Sequence, residues 1–289
     1  LQINNIPIIS GFDKIQKLKS LHSNLEVLLA IPNIKTERRR KIISDLEKIK
    51  VAVRTMPSLN ELLSDKKKVT DIQELSINDI LPGARISNAK VKNAESKTFF
   101  ISGAGGSIGA EITRQLVSSN PLTIILFELS EYNLFNIERE CLAIKDSKNL
   151  DTEIIPILGD IRDRSNLEHV FQKFSIDQIY HAAAYKHVPI VENENNISKA
   201  AENNILGTYN LANSAVKHGI HSFVMISTDK AVRPTNIMGA TKRFAEIIIQ
   251  SINSESSNTK FSMVRFGNVI NSSGSVIPLF IDQISRGGP

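Results

Sequence analysis

The run GAGGSIG, from Gly103 to Gly109, limits the possible folds of this chain more than any other feature, because an apolar stretch precedes it and an amphipathic pattern follows it. Gly103, Gly106 and Gly109 recur at every third position. Glycine permits a tight turn that brings backbone N–H groups against a pyrophosphate, and the following helix N-terminus favours the anion. The strand before and the helix after predict a dinucleotide site that includes Ser107 and Ile108, with a purely structural turn as the alternative.

Apolar strand patterns alternate with helical patterns from Thr98 to the end of the chain. Alternating units of this length are typical of a parallel sheet with helices on both faces. Residues 91–289 are therefore predicted to form a Rossmann-like, doubly wound α/β domain that binds NAD. The predicted strands are 98–103, 123–129, 153–158, 178–184, 222–228 and 261–266, and the principal predicted helices are 107–118, 165–174, 200–218 and 239–252.

Residues 1–90 are predicted to form a smaller α/β domain of nucleotide-fold type with a connector at its end. An apolar strand over 25–31, a helix beginning at Thr36 and a second strand over 51–56 support this prediction. No glycine-rich phosphate loop occurs in this region of the sequence, so we predict that it is non-catalytic. The domain boundary is expected near residue 90.

Composition narrows the class of protein. The chain has 289 residues, 41% of them hydrophobic and 22% charged, which is ordinary for a soluble globular protein. A net charge of +5 without a recognisable nucleic-acid motif predicts no nucleic-acid partner. A lone Cys141 excludes an internal disulfide framework, and none of the six histidines has metal-ligand spacing, so no metal is predicted. The chain begins at Leu1 without an initiator methionine, and we interpret it as a fragment of a longer protein.

Further cofactor contacts are predicted at the ends of the next three strands. Glu128 lies 19 residues past Gly109, where a carboxylate accepts hydrogen bonds from ribose hydroxyls and repels a 2′-phosphate, which favours NAD over NADP. A solvated acid at a strand end is the alternative. Asp160 and Ile161 follow the third strand and are expected near the adenine, unless Asp160 is an ordinary turn acid. The fourth strand ends in small side chains, which either leave room for the cofactor or pack tightly against a helix: Ala182, Ala183 and Ala184.

The segment Thr228-Asp229-Lys230 follows the fifth strand, at the sheet edge where open α/β sheets bind ligands. Met238 and Lys242 come next and lie four residues apart, on one face of the predicted helix. Short-chain dehydrogenases usually have Tyr and Lys at such positions, and a thioether cannot take the proton that a phenolate would. The acid and base Asp229 and Lys230 therefore indicate a dehydratase rather than a simple dehydrogenase, with an ordinary surface ion pair as the alternative.

With these residues in place, the chain closely resembles the membrane-anchored nucleoside-diphosphate-sugar 4,6-dehydratases. These are extended short-chain dehydrogenase/reductase enzymes of bacterial glycan and capsule synthesis. The resemblance covers nearly all of residues 98–289, and the first domain resembles the module that follows the transmembrane helices in these enzymes. The matching motifs are GAGGSIGAEI, FELSEYNLF, GDIRD, HAAAYKHVPIVE, NILGTYNLA, STDKAVRPTNIMGATKR and RFGNVINSSGSVIPLF.

The resemblance implies a redox-neutral loss of water from a UDP-sugar, with UDP-N-acetylglucosamine as the family's expected substrate. Oxidation at sugar C4 acidifies C5, water leaves across C5–C6, and C6 is reduced. Lys242 is then expected to hold the nicotinamide ribose and to favour loss of the 4-hydroxyl proton, and Thr228 to bind the developing 4-oxyanion. Asp229 becomes the acid for the leaving hydroxyl, Lys230 the base at C5, and Met238 the occupant of the usual tyrosine position.

The resemblance also implies substrate contacts, partners and a location. Lys186, Arg265 and Asn268 are expected to contact the substrate, and Val276 to flank the uracil, although Lys186 alone also fits a solvated lysine. A homodimer or higher homo-oligomer is expected, and the parent would lie on the cytoplasmic side of the bacterial inner membrane, anchored through segments outside this chain. A UDP-sugar epimerase or C5-inverting enzyme, and a non-catalytic NAD-binding scaffold, remain the alternatives. Family catalytic domains usually continue past Pro289.

Overall fold

A computed structural model of the chain describes residues 2–3, 6–8, 11–22, 25–31, 36–49, 51–55, 73–74, 91, 94–255 and 258–269. The chain divides into two compact units, Leu1–Ser87 and Asn88–Pro289. In the described parts of the chain, no helix is both long enough and apolar enough to cross a bilayer.

The first unit is a small α/β fold. Its described elements are β1 (Gln2–Ile3), β2 (Ile6–Pro7), α1 (Phe12–Leu21), β3 (Glu26–Leu29), α2 (Thr36–Lys48), β4 (Ala52–Thr55) and β5 (Gln73–Glu74). Strand β3 pairs in parallel with β4, and β5 adds to β4 in the antiparallel direction. Helix α2 covers this sheet because Ile43 and Leu46 lie one turn apart on its buried face, against Leu29 and Val53.

The second unit alternates strands and helices as the sequence predicts. Its strands are β6 (Thr98–Ser102), β7 (Thr123–Glu128), β8 (Glu153–Leu158), β9 (Gln178–His181), β10 (Ser222–Ile226) and β11 (Lys260–Val264). Its α-helices are α3 (Ser107–Val117), α4 (Glu131–Lys148), α5 (Arg164–Lys173), α6 (Val188–Val191), α7 (Glu194–Ala201), α8 (Thr208–Lys217) and α9 (Ile237–Glu255).

All six strands of this unit form one parallel sheet, ordered β11-β10-β9-β6-β7-β8. The chain winds outward from β6 in one direction through β7 and β8, then returns and winds outward in the other through β9, β10 and β11. This order confirms the predicted doubly wound Rossmann-like fold. The winding direction reverses between β6 and β9, and ligands of such sheets bind beyond the strand ends at that point.

The central strand β6 is buried on both faces, which explains its continuous apolar sequence. Phe100 packs on one side with Phe127, Phe171 and other core residues, while its neighbours Phe99 and Ile101 pack on the other side under α3 and α4. Side chains alternate across a strand, so a run of apolar residues serves both layers at once. The two cores fix the carboxyl end of β6, where the glycine run begins.

Several predicted elements have ends that differ from the structure by one to three residues, and two differences bear on the site. Strand β9 ends at His181, so the prediction of a strand to residue 184 is wrong, and Ala182 to Ala184 belong to a loop. The predicted helix 200–218 is divided by one π-helical segment, Glu202–Gly207. A Cβ on Gly207 would lie 2.6 Å from Ile161 Cδ1, so this wider turn packs closely against the loop after β8. Such segments often occur at functional sites.

Candidate functional site

Two loops cross at the point where the sheet reverses direction, and glycine makes their close approach possible. Gly103 has a φ of +68°, and a Cβ there would lie 2.7 Å from the Ala183 Cα. A Cβ on Gly109 would lie 2.0 Å from the Gly103 carbonyl oxygen. Both glycines are therefore required by the protein's own packing.

Gly106 differs from these two glycines. The nearest atom to a Cβ built there is the Gly103 carbonyl oxygen at 3.4 Å, and the residue lines the cleft above the sheet. Gly106 is also the N-cap of α3, with no side chain to cover the helix N-terminus. The positive end of the helix dipole therefore faces the cleft, an arrangement that favours a phosphate.

A cavity of about 690 Å³ extends from this loop over the ends of β7 and β8. Glu128 lines it and is 8% exposed. Its Oε2 accepts a hydrogen bond from Gly105 N at 3.0 Å, and its Oε1 accepts one from Ser130 N at 3.0 Å. The carboxylate thus fixes the glycine loop while it faces the cavity in which a ribose is predicted to bind.

Asp160 and Ile161 line the same cavity beside Glu128. Burial by itself would raise the pKa of Asp160, but hydrogen bonds and charge from Arg162 outweigh it and lower the pKa. The Arg162 Nε donates to Asp160 Oδ2 at 2.8 Å. Asp160 is therefore an ion-paired carboxylate at the cavity edge. Ala182, Ala183 and Ala184 also line this cavity.

A second cavity of about 330 Å³ adjoins the first and reaches the end of β10. Gly106, Tyr185 and Lys186 line both cavities, so the two are parts of one cleft. The second cavity brings together most of the predicted chemical residues: Ser107, Ile108, Gly109, Thr228, Lys230, Met238, Lys242 and Asn268. Burial lowers the pKa of Lys186 from its ordinary value.

The segment after β10 holds an acid and a base in direct contact. Lys230 Nζ donates to Asp229 Oδ1 at 3.1 Å and to Asn268 Oδ1 at 3.1 Å. The Thr228 hydroxyl donates to the same Asp229 oxygen at 2.9 Å, and this bond is the main cause of the lowered Asp229 pKa. Asp229 does not line either cavity, and its side chain is 54% exposed.

Lys242 occupies a very different environment from Lys230. It is 5% exposed, and desolvation lowers its pKa to about 8. Among the residues that the structure describes, its ammonium makes no hydrogen bond or ion pair. Met238, one turn earlier on α9, packs with Val191 and Ala200 and is 4% exposed. The helix therefore presents one buried cation and one thioether to the cavity.

The first turn of α9 packs closely against the Asp229–Ala231 turn. A Cβ on Gly239 would lie 2.3 Å from the Lys230 carbonyl oxygen, so only glycine allows this approach. Glu192, at the end of α6, accepts a hydrogen bond from Ile237 N at 2.6 Å and holds the helix N-terminus. No local sequence pattern indicates these roles for Gly239 and Glu192, because both depend on packing between separate elements of the fold.

Asn204, in the π-helical segment, ties the cleft loop to α9. Its side-chain oxygen accepts from Tyr185 N at 2.8 Å, and its Nδ2 donates to the Tyr185 oxygen at 3.0 Å. The same Nδ2 lies 3.0 Å from the hydroxyl oxygen of Thr241, which is itself adjacent to Lys242. One buried amide therefore positions the loop that carries Lys186 relative to the helix that carries Lys242.

Two predicted substrate residues are not brought to the cleft. Arg265 lines neither cavity, and its guanidinium donates to the buried carboxylate of Glu246, with Nε to Oε1 at 2.8 Å. Val276 lies outside the described residues. In the part of the chain that the structure describes, no group of three or more His, Cys, Asp or Glu side chains is arranged to hold a metal ion.

Comparison with known proteins identifies the family. The sequence profile described as "Polysaccharide biosynthesis protein" matches residues 99–289. The chain belongs to this polysaccharide biosynthesis protein family. The capsular polysaccharide biosynthesis protein CapD of Staphylococcus aureus is 40% identical over 269 residues, which are 91% of this chain and 44% of CapD. The chain thus spans about half the length of the curated relatives that it matches.

Other family relatives are named as enzymes. The UDP-N-acetylglucosamine 4,6-dehydratase (inverting) of Campylobacter jejuni is 34% identical over 66% of this chain and 54% of its own length. The UDP-glucose 4-epimerase of Rickettsia canadensis is 33% identical over the same shares.

Solved structures share the fold. The X-ray structure of Pen from Bacillus thuringiensis superposes with a TM-score of 0.60 and 37% identity, covering 67% of this chain and 59% of Pen. DesIV, a dTDP-glucose 4,6-dehydratase from Streptomyces venezuelae solved with NAD, superposes at 0.54 with 23% identity, covering 66% and 63% of the two chains. DesIV establishes similarity of fold alone.

Proposed function

We propose that residues 91–289 catalyse the NAD-dependent 4,6-dehydration of a UDP-sugar, with UDP-N-acetylglucosamine as substrate, for bacterial surface glycan or capsule synthesis. Residues 1–90 form a non-catalytic domain in this proposal. The observation that carries it is the contact of an acid and a base, Asp229 and Lys230, beside a cavity that also contains Met238 and Lys242. The named activity of the Campylobacter jejuni relative supports the same chemistry.

The residues of the cleft fit NAD. Gly106 leaves space at the N-terminus of α3 for a pyrophosphate, and the fixed Glu128 carboxylate faces the adjoining cavity. A second negative charge at the ribose 2′ position would be repelled by Glu128, which favours NAD over NADP. When bound, NAD supplies the acceptor for a hydride from sugar C4 and the donor of a hydride to C6.

Two side chains of the cavity serve the oxidation at C4. The buried Lys242 ammonium stabilises negative charge that develops on O4, because a cation acts strongly where water is excluded. The Thr228 hydroxyl rotates from Asp229 to donate a second hydrogen bond to the same oxygen, and the proton that the 4-hydroxyl loses passes to solvent. Met238 takes no part in proton transfer, since a thioether has no proton to exchange.

The elimination across C5–C6 uses the Asp229–Lys230 pair. The lowered pKa of Asp229 means that Asp229 is a carboxylate before the sugar enters, and this carboxylate accepts a hydrogen bond from Lys230 Nζ. Transfer of one proton from Lys230 Nζ to Asp229 gives an amine base and a carboxylic acid, and exclusion of water by the sugar favours these neutral forms. Lys230 then takes the C5 proton, Asp229 protonates the leaving 6-hydroxyl, and the pair recovers its starting charges. When C6 is reduced, Lys230 returns a proton to C5 and is itself reprotonated from solvent.

The test is product mass after incubation of the purified protein with UDP-N-acetylglucosamine and NAD. The proposal expects loss of the mass of one water, abolished by Lys230→Ala and retained by Lys260→Ala, a matched change at an exposed lysine of β11. If a preparation extended beyond Pro289 also gives no mass change although it binds NAD, this substrate assignment is wrong.

The epimerase of Rickettsia canadensis makes sugar epimerisation the second candidate function. Epimerisation leaves the product mass unchanged in ordinary water. Inversion at C5 incorporates solvent deuterium in heavy water, whereas inversion at C4 by return of the hydride does not and is detected by NMR as a changed configuration of the sugar. Either result would replace dehydration by epimerisation. NAD binding without any change in a panel of UDP-sugars would indicate a non-catalytic scaffold.

A homo-oligomer is part of the proposal. Exposed apolar side chains line one face of α9, where Phe244 is 54% and Ile247 48% exposed, and one face of α8 and the segment before it, where Leu206 and Tyr209 are each 47% exposed. Adjacent helices with apolar outer faces favour association with a second copy of the chain.

A further inference from the structure

The carboxylate of Glu246 is fully buried in α9, at 0% exposure, and binds side chains from three elements. Its Oε1 accepts from the Ser227 hydroxyl at 2.6 Å and from Arg265 Nε at 2.8 Å. Its Oε2 accepts from an Arg243 guanidinium nitrogen at 3.0 Å. These bonds join α9 to the ends of β10 and β11.

The position of Glu246 relates this network to the cleft. Ser227 directly precedes Thr228 and lines the second cavity. Lys242 lies one helical turn before Glu246, on the same face of α9, and both residues are buried. One carboxylate therefore connects the segment that carries the acid and base with the helix that carries the buried cation.

We propose that Glu246 is a positioning residue of the site: it holds the segment beginning at Ser227 against α9 and stabilises the ammonium form of Lys242. This inference rests on the proposed function for its consequence in catalysis. A fully buried carboxylate costs much desolvation, and an apolar side chain would pack α9 without that cost. Its charge lies one helical turn from Lys242, the one buried ammonium that the described part of α9 carries, and it offsets part of the desolvation of that ammonium.

The charges around Lys242 support this assignment. His181, at the end of β9, has a pKa of about 3 because it is buried, so it is neutral at physiological pH. Desolvation lowers the Lys242 pKa, and Glu246 opposes that effect. The other charged groups at the cavity or on the network are Lys186, Lys230, Asp229, Arg243 and Arg265. The four cations among them disfavour the ammonium form of Lys242, and the exposed Asp229 is paired with Lys230.

The experiment measures the Lys242 pKa by NMR of the whole chain labelled with ¹³C at lysine Cε, in the absence of NAD and sugar. Lys242→Met assigns the resonance. Glu246→Gln keeps the shape of the side chain and removes its charge, so the Lys242 pKa should fall by about one pH unit. Arg243→Gln removes a neighbouring positive charge and should raise it. Glu255→Gln, at the exposed end of the same helix, should leave it unchanged.

A Lys242 pKa that stays constant in folded Glu246→Gln would overturn the proposal. If Glu246→Gln does not fold, Glu246→Gln combined with Arg265→Gln, which removes the guanidinium that would lose its partner, is compared with Arg265→Gln alone, and equal Lys242 pKa values in the two would overturn it. In active preparations the high-pH limb of kcat should move in the same direction as the Lys242 pKa in each variant. Failure of wild type to dehydrate a UDP-sugar would reject the proposed function alone, since the NMR result needs no turnover.

Discussion

Replacing Lys242 by methionine should stabilise the protein and abolish its activity. The ordinary lysine pKa of 10.5 falls to about 8 in the folded chain because burial desolvates the ammonium. At about 1.4 kcal/mol for each pKa unit, this depression corresponds to about 3 kcal/mol of folding free energy at neutral pH. Methionine is unbranched, similar in length and uncharged, so Lys242→Met should recover most of that free energy.

The pH dependence of this gain distinguishes its cause. Below pH 8 the Lys242 amine is protonated in both folded and unfolded chains, so the wild type carries the whole penalty. Between the folded pKa of about 8 and the unfolded value of 10.5 the unfolded chain binds more protons, and wild-type stability rises with pH. The advantage of Lys242→Met should therefore shrink from about 3 kcal/mol at pH 7 to under about 1 kcal/mol at pH 10.

Urea unfolding followed by circular dichroism at pH 7 and pH 10 measures this difference. Lys260→Met, an exposed lysine of β11, is the matched control and should change stability by less than about 0.5 kcal/mol at either pH. A Lys242→Met variant that is less stable than wild type at pH 7, or equally stabilised at both pH values, would refute the reasoning. Retained dehydration activity in this variant would refute the role of Lys242.

Four further substitutions, arranged as three tests, probe the site and its surroundings. Gly109→Ala places a Cβ 2.0 Å from the Gly103 oxygen and should lower the free energy of unfolding by more than about 2 kcal/mol. Gly106→Ala should unfold like wild type, but its NAD affinity, measured by calorimetry, should fall at least about tenfold. Asn204→Ala removes a buried amide that joins the cleft loop to α9 and should cost about 2 kcal/mol in urea unfolding. Phe244→Glu should reduce the oligomer mass measured by light scattering.

Each of these three tests has a contradicting result. Equal NAD affinity in wild type and Gly106→Ala would contradict the proposed binding of the pyrophosphate at the glycine loop. A wild-type unfolding midpoint in Asn204→Ala would show that other contacts hold the cleft loop. A monomeric wild type would contradict the proposed association of a second copy of the chain with the apolar faces of α8 and α9.

The sequence predicts the sheet because each strand carries its own local pattern. Continuous apolar runs such as that of β6 indicate strands that are buried on both faces. The run that contains Gly103, Gly106 and Gly109 is recognisable as a nucleotide loop because a strand pattern precedes it and a helix pattern follows it. The π-helical segment Glu202–Gly207 is different. Its wider turn packs closely against Ile161 at Gly207, and these two residues are 46 positions apart in the chain. The helical periodicity of the local sequence therefore predicts one regular helix.

The partner of Arg265 also depends on tertiary structure. An arginine after a strand is compatible with a diphosphate contact, and nothing in the local sequence indicates a buried carboxylate nearby. The competing partner, Glu246, lies 19 residues earlier on α9, and helix packing brings it to the end of β11. A buried carboxylate needs several donors, so Glu246 engages the guanidinium in the folded chain.

The two lysines of the site show why sequence motifs alone do not assign chemical roles. Lys230 and Lys242 both follow the same strand and both line the second cavity. Lys230 stays hydrogen-bonded to Asp229 and Asn268 with its side chain 35% exposed, so it has a carboxylate to which it can pass a proton. Lys242 is buried without such a contact among the described residues, and Glu246 acts on it through charge. The proposed proton-transferring lysine and the proposed fixed cation are thus the same residue type in different surroundings, because packing determines which lysine meets a carboxylate.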